Sequence, residues 1–354
     1  MRLFFTLFIS LILITSATGQ SDIFVGTFTD GSKGLFRFSL EGQLISKTPV
    51  NGSGYQAINR AQRIIYTLSW SSESSSAVIL AYKISDKGLD KINEVITNTK
   101  GLAHVNFDPI NRLVGAVSYG GGDVVVYHVL ENGAIGELKG AARHIGGTKA
   151  TERHDAAHPH SIFFNKGFAY VPDLGMDRIA VYDVINEFKE VSSTASPAGG
   201  GPRHLAFHPS GKYAYVNDEV ASSVSMYHLN EISGELTIGQ TISTLPTGFI
   251  DFNKNAQVLV SPDGRFLYVS NRGHASIATF SIEQASGTLS LIGFTPVRGK
   301  TPRNFNISPD GKVLIVANKD SSNLVFYNVD RQSGKLAFSG KTFSVPNPGC
   351  VTFF

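Results

Sequence analysis

A single cysteine in 354 residues rules out any intramolecular disulfide, so the fold has to stand on its hydrophobic core alone. That thiol, Cys350, is followed by Val351, Thr352 and Phe353 and reads as a small buried hydrophobe rather than a nucleophile. Excess charge is also lacking. The net charge is only +3, and no run of Lys and Arg alternates with stacking aromatics, which sets nucleic acid aside as a partner. No His/Cys/Asp spacing suggests a zinc site, and Gly120-Gly121-Gly122 is not followed by a helical pattern that could cradle phosphate. No metal and no cofactor is therefore expected. Long apolar runs are missing except at the start, where Arg2 precedes Leu3 to Ile14 and small residues end at Ala17-Thr18-Gly19. The run is short of the roughly 20 residues that a spanning helix needs. It predicts a secretory signal peptide over 1–19, a mature chain over 20–354, a secreted location and no membrane association after cleavage.

Sustained helical periodicity is absent as well. What recurs past the leader is a strand, a tight turn, a second strand, a loop and two more strands. In the clearest copy, Arg203 to His208 is the first strand and Pro209-Ser210-Gly211-Lys212 the turn. Tyr213 to Asn217, Ser223 to Leu229 and Glu235 to Thr241 follow as the other three strands. The turn grammar returns at Ser261-Pro262-Asp263-Gly264 and Ser308-Pro309-Asp310-Gly311, because Pro pre-sets φ and Gly accepts the left-handed position. Repeats start near residues 54, 101, 158, 201, 254 and 301. A period of this length built from four strands predicts propeller blades. A seventh blade comes from the two ends, with Cys350 to Phe353 pairing with strands Ile23 to Thr27 and Leu35 to Ser39. The expected fold is thus all-β: one seven-bladed β-propeller domain of four-stranded antiparallel blades, its ring closed by N- and C-terminal strands. Six blades with ragged ends, or paired β-sandwiches, are the alternatives.

In such a ring, the start of each inner strand and the end of the second strand meet at one mouth of the central channel. Those positions supply His158, His160, Arg203, His204, Arg303 and Asn304 from strand starts. Second-strand ends and the loops after them supply Asp173, Asp218, Glu219, Asn271, Arg272, His274 and Asn318. Three arginines converging there suit a small anionic substrate, since guanidinium binds carboxylate or phosphate through two parallel hydrogen bonds. The polar stretch from Gly146 to Ala157 reads as a long mouth loop or lid, and its Lys149, Arg153 and His154 as solvated loop charge rather than substrate contacts. Taken by residue type alone, Glu219 serves equally well as the partner of Arg203 or Arg272 in a structural ion pair. His204 and His208 read as partly buried hydrogen-bonding residues.

The runs His158-Pro159-His160-Ser161, Asp173-Leu174-Gly175-Met176-Asp177, Gly201-Pro202-Arg203-His204 and Thr301-Pro302-Arg303-Asn304-Phe305 carry a family resemblance. So does the long run from Ser261 to His274. Together they resemble the seven-bladed β-propeller lactonases, a family that includes bacterial 6-phosphogluconolactonase and fungal carboxymuconate cyclases. The resemblance implies a carboxylic-ester hydrolase opening a small, sugar-type, anionic lactone. It places the catalytic group on His160, Arg203, Glu219 and Arg272, and the mouth positions read above add His158, His204, Asn271, His274 and Arg303 around the substrate. The family's Glu before the Ser-Pro-Asp-Gly strand is replaced here by Gln257. A lactonizing cyclase of the carboxymuconate type and a secreted, non-catalytic binding propeller are the competing readings. Of two glycosylation-type triplets, Asn51-Gly52-Ser53 lies in a loop pattern and Asn306-Ile307-Ser308 inside an expected strand.

Overall fold

The computed structural model describes residues 22–28, 34–70 and 76–354, so the expected leader over 1–19 and its boundary lie outside the described residues. Each internal repeat folds as one four-stranded antiparallel sheet with its strands in chain order. Blade 1 runs from Gln56–Asn59 to Leu89–Ile96, blade 2 from Leu102–Asp108 to Ile135–Arg143 and blade 3 from Phe163–Asn165 to Lys189–Ala195. Blade 4 runs from Pro202–Phe207 to Leu236–Ser243, blade 5 from Asn255–Val260 to Leu289–Pro296 and blade 6 from Pro302–Ile307 to Leu336–Ser344. Blade 7 joins the chain ends: Pro348–Phe353 is innermost, followed by Ile23–Thr27, Leu35–Phe38 and Leu44–Thr48. Val25 stands opposite Val351 and Ile23 opposite Phe353, so the ring is closed by main-chain pairing.

The reason for a ring lies in the middle strands, whose alternate residues face opposite neighbours. On the second strand of blade 4, Tyr213 and Tyr215 pack toward blade 5, whereas Ala214 and Val216 pack toward blade 3. Blade 5 repeats this, with Leu267 and Val269 toward blade 4 and Phe266 and Tyr268 toward blade 6. Each blade is therefore apolar on both faces, and only a closed stack buries both. Seven apolar clusters result, one between each pair of neighbouring blades. Each large side chain sealed there contributes about 1.5–3 kcal/mol.

Polar ties cross the same interfaces. The hydroxyls of Tyr66, Tyr215 and Tyr268 donate to the carbonyls of Gly133, Gly287 and Gly334 on the next blade, at 3.0, 2.8 and 2.9 Å. The expected turns form as read. The Gly264 amide closes the turn onto the Ser261 carbonyl at 2.8 Å, with Gly264 at φ +74°. At that angle an L side chain is strained, and its Cβ would also meet the His208 ring.

Candidate functional site

A cleft of about 720 Å³ opens at one mouth of the channel. Two features of β geometry build it. Pairing breaks register between Pro202 and His204, and again between Pro302 and Asn304, so Arg203 and Arg303 each occupy a β-bulge. A bulge re-aims one side chain out of the alternating pattern, here into the mouth. The second feature is parity at the end of the second strand. Asp173, Asp218, Asn271 and Asn318 end their strands fully buried, while Glu219 and Arg272, one residue later, face the cleft.

The centre of the site is Glu219, which is almost fully buried. Its Oε1 accepts from Arg153 Nη2 at 3.0 Å. Its Oε2 is shared by Arg203 Nε and Arg272 Nη2, each at 2.9 Å, with His160 Nε2 at 3.8 Å. Burial by itself would raise the Glu219 pKa, but Arg272, Arg203, Arg153 and Arg303 outweigh it and hold the carboxyl below its usual range. Burial, reinforced by Arg203, His204 and Arg303, pushes the His160 pKa well below that of an ordinary histidine, so its ring is neutral near pH 7. His160 Nδ1 is buried and has no hydrogen-bond partner among the described residues.

Among the described residues the lining carries Lys100, Arg153, Arg203, Lys254, Arg272 and Arg303 against Glu219 as its one carboxylate. Arg303 sits over the Phe28 ring at 4.9 Å and has no carboxylate within ion-pair distance among the described residues. Burial and the neighbouring Arg272 lower its pKa to about 10, which still leaves it cationic at neutral pH. The cleft is thus strongly positive, and part of that charge is uncommitted.

Of the nine residues expected at the site, His160, Arg203, Glu219, Arg272, His204 and Arg303 line this cleft. The other three do not. Asn271 is fully buried and donates to the Thr244 carbonyl at 2.7 Å, tying a loop together. His274 pairs with Ser276 at 2.7 Å and packs edge-on against Phe249 and Phe294. His158 stacks on Tyr119 with ring centroids 4.2 Å apart, and its Nδ1 bonds the Tyr119 carbonyl at 2.8 Å. It positions the Tyr119 wall from behind. The expectation that every polar strand end faces the mouth is corrected here: adjacent residues on a strand point opposite ways, so Asn271 turns into the blade where Arg272 faces the cleft, while His158 and His274 are held away by the ring contacts just given.

Arg153, read from sequence as solvated charge, belongs to the site. The loop over 146–157 is held down by His154, whose Nε2 bonds Asp177 at 3.0 Å, and by Thr151, which caps the short 3-10 turn Glu152–His154. That turn carries Arg153 across the Tyr119 ring, 5.2 Å away, onto Glu219. Nothing in the local sequence distinguishes it from its neighbours.

Beneath the cleft the channel is plugged. Tyr55, His104, His204 and Phe163 pack ring against ring, with Tyr55 and His104 centroids 4.1 Å apart. Gln257 lies under this plug, where its Oε1 accepts from His204 Nδ1. The Gln257 departure from the family pattern therefore falls on the far side of the plug, which His204 reaches and Glu219 does not. Asn51 of the first glycosylation-type triplet lines the cleft, and Ser53 of that triplet is buried, donating to the Gly34 carbonyl at 2.8 Å. Asn306 lies within the inner strand of blade 6. Among the described residues no group of three or more His, Cys, Asp or Glu is placed to hold a metal ion.

A closed seven-bladed ring with a cleft at one mouth, where a buried carboxylate is gathered by arginines beside a neutral histidine, defines a propeller with a cleft of enzyme type. The chain matches the family model "Lactonase, 7-bladed beta-propeller" over residues 22–353 and belongs to that family. It is 34% identical over 344 residues to the 6-phosphogluconolactonase of Bacillus subtilis, covering 93% of this chain and 97% of that one. Among solved structures, it superposes on the periplasmic gluconolactonase of Pseudomonas aeruginosa with a TM-score of 0.86 at 26% identity, covering 94% and 98% of the two chains. A Lactobacillus plantarum protein gives a TM-score of 0.88 at 29% identity, covering 95% and 99%.

Proposed function

We propose that this protein hydrolyses a small lactone of the sugar type that carries a carboxylate or phosphate group, with Glu219 and its surroundings as the catalytic centre. The observation that carries the reading is that one buried carboxylate shared by Arg153, Arg203 and Arg272 lies 3.8 Å from the neutral His160. Supporting it are the relatives named 6-phosphogluconolactonase and the gluconolactonase neighbour.

Hydrolysis requires water to add its oxygen to the lactone carbonyl carbon and the ring C–O bond to break. The proton taken from water ends on the ring alkoxide. His160 is assigned the proton transfer, because its neutral ring is free to accept while both oxygens of Glu219 are engaged by arginines. Glu219 lies where it can steady the imidazolium that forms, once a closing motion of under 1 Å brings the pair to hydrogen-bond distance. The guanidinium nitrogens of Arg203 and Arg272 that do not serve Glu219 or backbone carbonyls are the donors for the developing oxyanion. Arg303, with no carboxylate of its own, takes the anionic substituent. We further assign the protein a site of action outside the cytosol, on the leader pattern of residues 1–19.

The test is base uptake at constant pH on 6-phosphogluconolactone, gluconolactone and a muconolactone, with Glu219→Gln and Arg272→Ala proteins alongside. Turnover above spontaneous hydrolysis that both substitutions abolish supports the site, and turnover indifferent to both removes it. Muconolactone formation from a muconate, in which a carboxylate oxygen adds to one alkene carbon and a proton to the other, belongs in the same panel as the check on the cyclase reading.

A further inference from the structure

The cleft, at about 720 Å³, has room for more than one sugar ring. A lactone engaged by Arg203, Arg272 and Arg303 leaves the opposite wall, contributed by blades 1 and 2 and the segment before them, without an occupant. That wall differs in chemistry from the charged one. Trp70, the protein's only tryptophan, lines it and is 41% exposed, although it ends a strand whose earlier residues are buried. Beside it the lining is bare backbone. A Cβ at Gly101 would meet only the Trp70 ring, at 3.7 Å, and a Cβ at Gly120 would meet nothing within 4 Å. Glycine backbone therefore lies open beside the indole on this wall. Around it stand Asn51, Ser69 and Lys100, whose side chains line the cleft and hold no hydrogen bond to another described residue.

We propose that this wall is a second subsite that binds a glycosyl substituent of the lactone, so that the favoured substrates are aldonolactones carrying a second sugar ring. This rests on the lactonase reading and specifies its substrate class. A pyranose presents an apolar face of C–H groups edged by hydroxyls. It needs a flat aromatic platform with separate donors and acceptors at its rim, and an indole flanked by the amide of Asn51, the hydroxyl of Ser69 and the ammonium of Lys100 is that combination. A purely apolar substituent would leave those three groups desolvated and unpaired. A second anion would favour the arginine-rich wall over one with a single lysine.

Two measurements test it. The first is kcat/KM for lactobionolactone and for gluconolactone with wild type, Trp70→Ala and Trp70→Phe. The wild type favours lactobionolactone. Trp70→Ala lowers kcat/KM for lactobionolactone about tenfold more than for gluconolactone, the size expected for loss of one stacking contact, and Trp70→Phe recovers most of it. Equal losses on the two lactones would overturn the subsite and leave the lactonase reading intact. The second is a titration of the wild type's single tryptophan emission with the open acids. Lactobionate shifts or quenches it and gluconate at equal concentration does not. An identical response to both acids, or none, overturns the subsite. If neither of these lactones nor 6-phosphogluconolactone is hydrolysed but lactobionate alone perturbs the emission, the subsite stands and the lactonase reading falls.

Discussion

His104 sits in the channel plug with no exposure, and burial, with a smaller effect from Arg203, lowers its pKa to about 3. An unfolded chain gives the same ring a pKa near 6.5. Between these values the unfolded state binds a proton that the folded state refuses, so stability rises with pH across that window. The cost of keeping His104 neutral is absent above about pH 6.5. It grows by about 1.4 kcal/mol per unit as the pH falls toward the folded value. At pH 5 it amounts to about 2 kcal/mol. His104→Phe keeps an aromatic ring among Tyr55, Phe163 and His204 and removes the titration. Its packing effect is the same at every pH, so the informative quantity is a double difference. Urea unfolding of both proteins at pH 7.5 and pH 5 should show the variant gaining about 2 kcal/mol on the wild type as the pH drops. His160 and His204 carry similar costs in both proteins and largely cancel. A difference that stays constant within about 0.5 kcal/mol would refute the claim that His104 is held neutral by burial.

Three further outcomes follow from the cleft and the core. Glu219→Gln leaves three guanidiniums without their shared anion and should cost about 3–5 kcal/mol in urea unfolding at pH 7, with kcat down at least about 100-fold. Because the folded pKa of Glu219 is depressed, its stabilisation is present above about pH 4.3 and is lost as the pH falls through the lower folded value. The gap between wild type and variant should therefore close in acid. Arg303→Met should raise KM for a carboxylate-bearing lactone about tenfold or more with kcat within a few-fold, because an interaction made equally in ground and transition states was removed; a kcat loss matching the loss in kcat/KM would contradict this. Burial pushes the Cys350 thiol up to about 12, so iodoacetamide at pH 8 should label it in urea and leave it untouched in the native protein, as mass spectrometry would read directly.

The propeller was legible because its information is local and repeated. Turns such as Ser261-Pro262-Asp263-Gly264 punctuate strands whose alternation differs from that of a helix, and six copies leave little freedom for the seventh. The closing blade could be read from the ends because the N-terminal strands begin at Ile23–Thr27 without an inner neighbour, and Pro348–Phe353 is a strand-like segment left over after the sixth repeat. The site was legible only to the level of the mouth. Asp218 and Glu219 are neighbours of like charge, yet one fastens Ser223 and Ser225 and the other gathers three arginines. Parity at the strand end separates them, and parity depends on a register that the sequence does not print. Arg203 and Arg303 face inward through bulges, which carry no residue signature. Arg153 arrives on a loop whose course is set by the contact of His154 with Asp177 of blade 3, and it meets Glu219 only once blade 4 stands beside blade 3.

The same positive charge that receives an anion also sets the strength of the proposed base, and this couples binding to chemistry. In the free protein, burial together with Arg203, His204 and Arg303 holds the His160 pKa far down, which makes the ring available but weakly basic. A substrate anion seated on Arg303 cancels part of that repulsion. The imidazolium then becomes less unfavourable, and the His160 pKa moves up toward its ordinary value only while substrate is bound. For a lactone whose own carboxylate titrates below about pH 4, the acid limb of kcat/KM reports the free protein and that of kcat the complex. The kcat limb should lie at the higher pH. Arg303→Met removes part of the repulsion permanently, so it should raise the kcat/KM limb and narrow the separation. Coincident limbs in the wild type would mean that bound anion and His160 do not sense each other. A kcat limb at the lower pH would mean that the substrate's charge lies elsewhere in the cleft, and the assignment of Arg303 to it would fall.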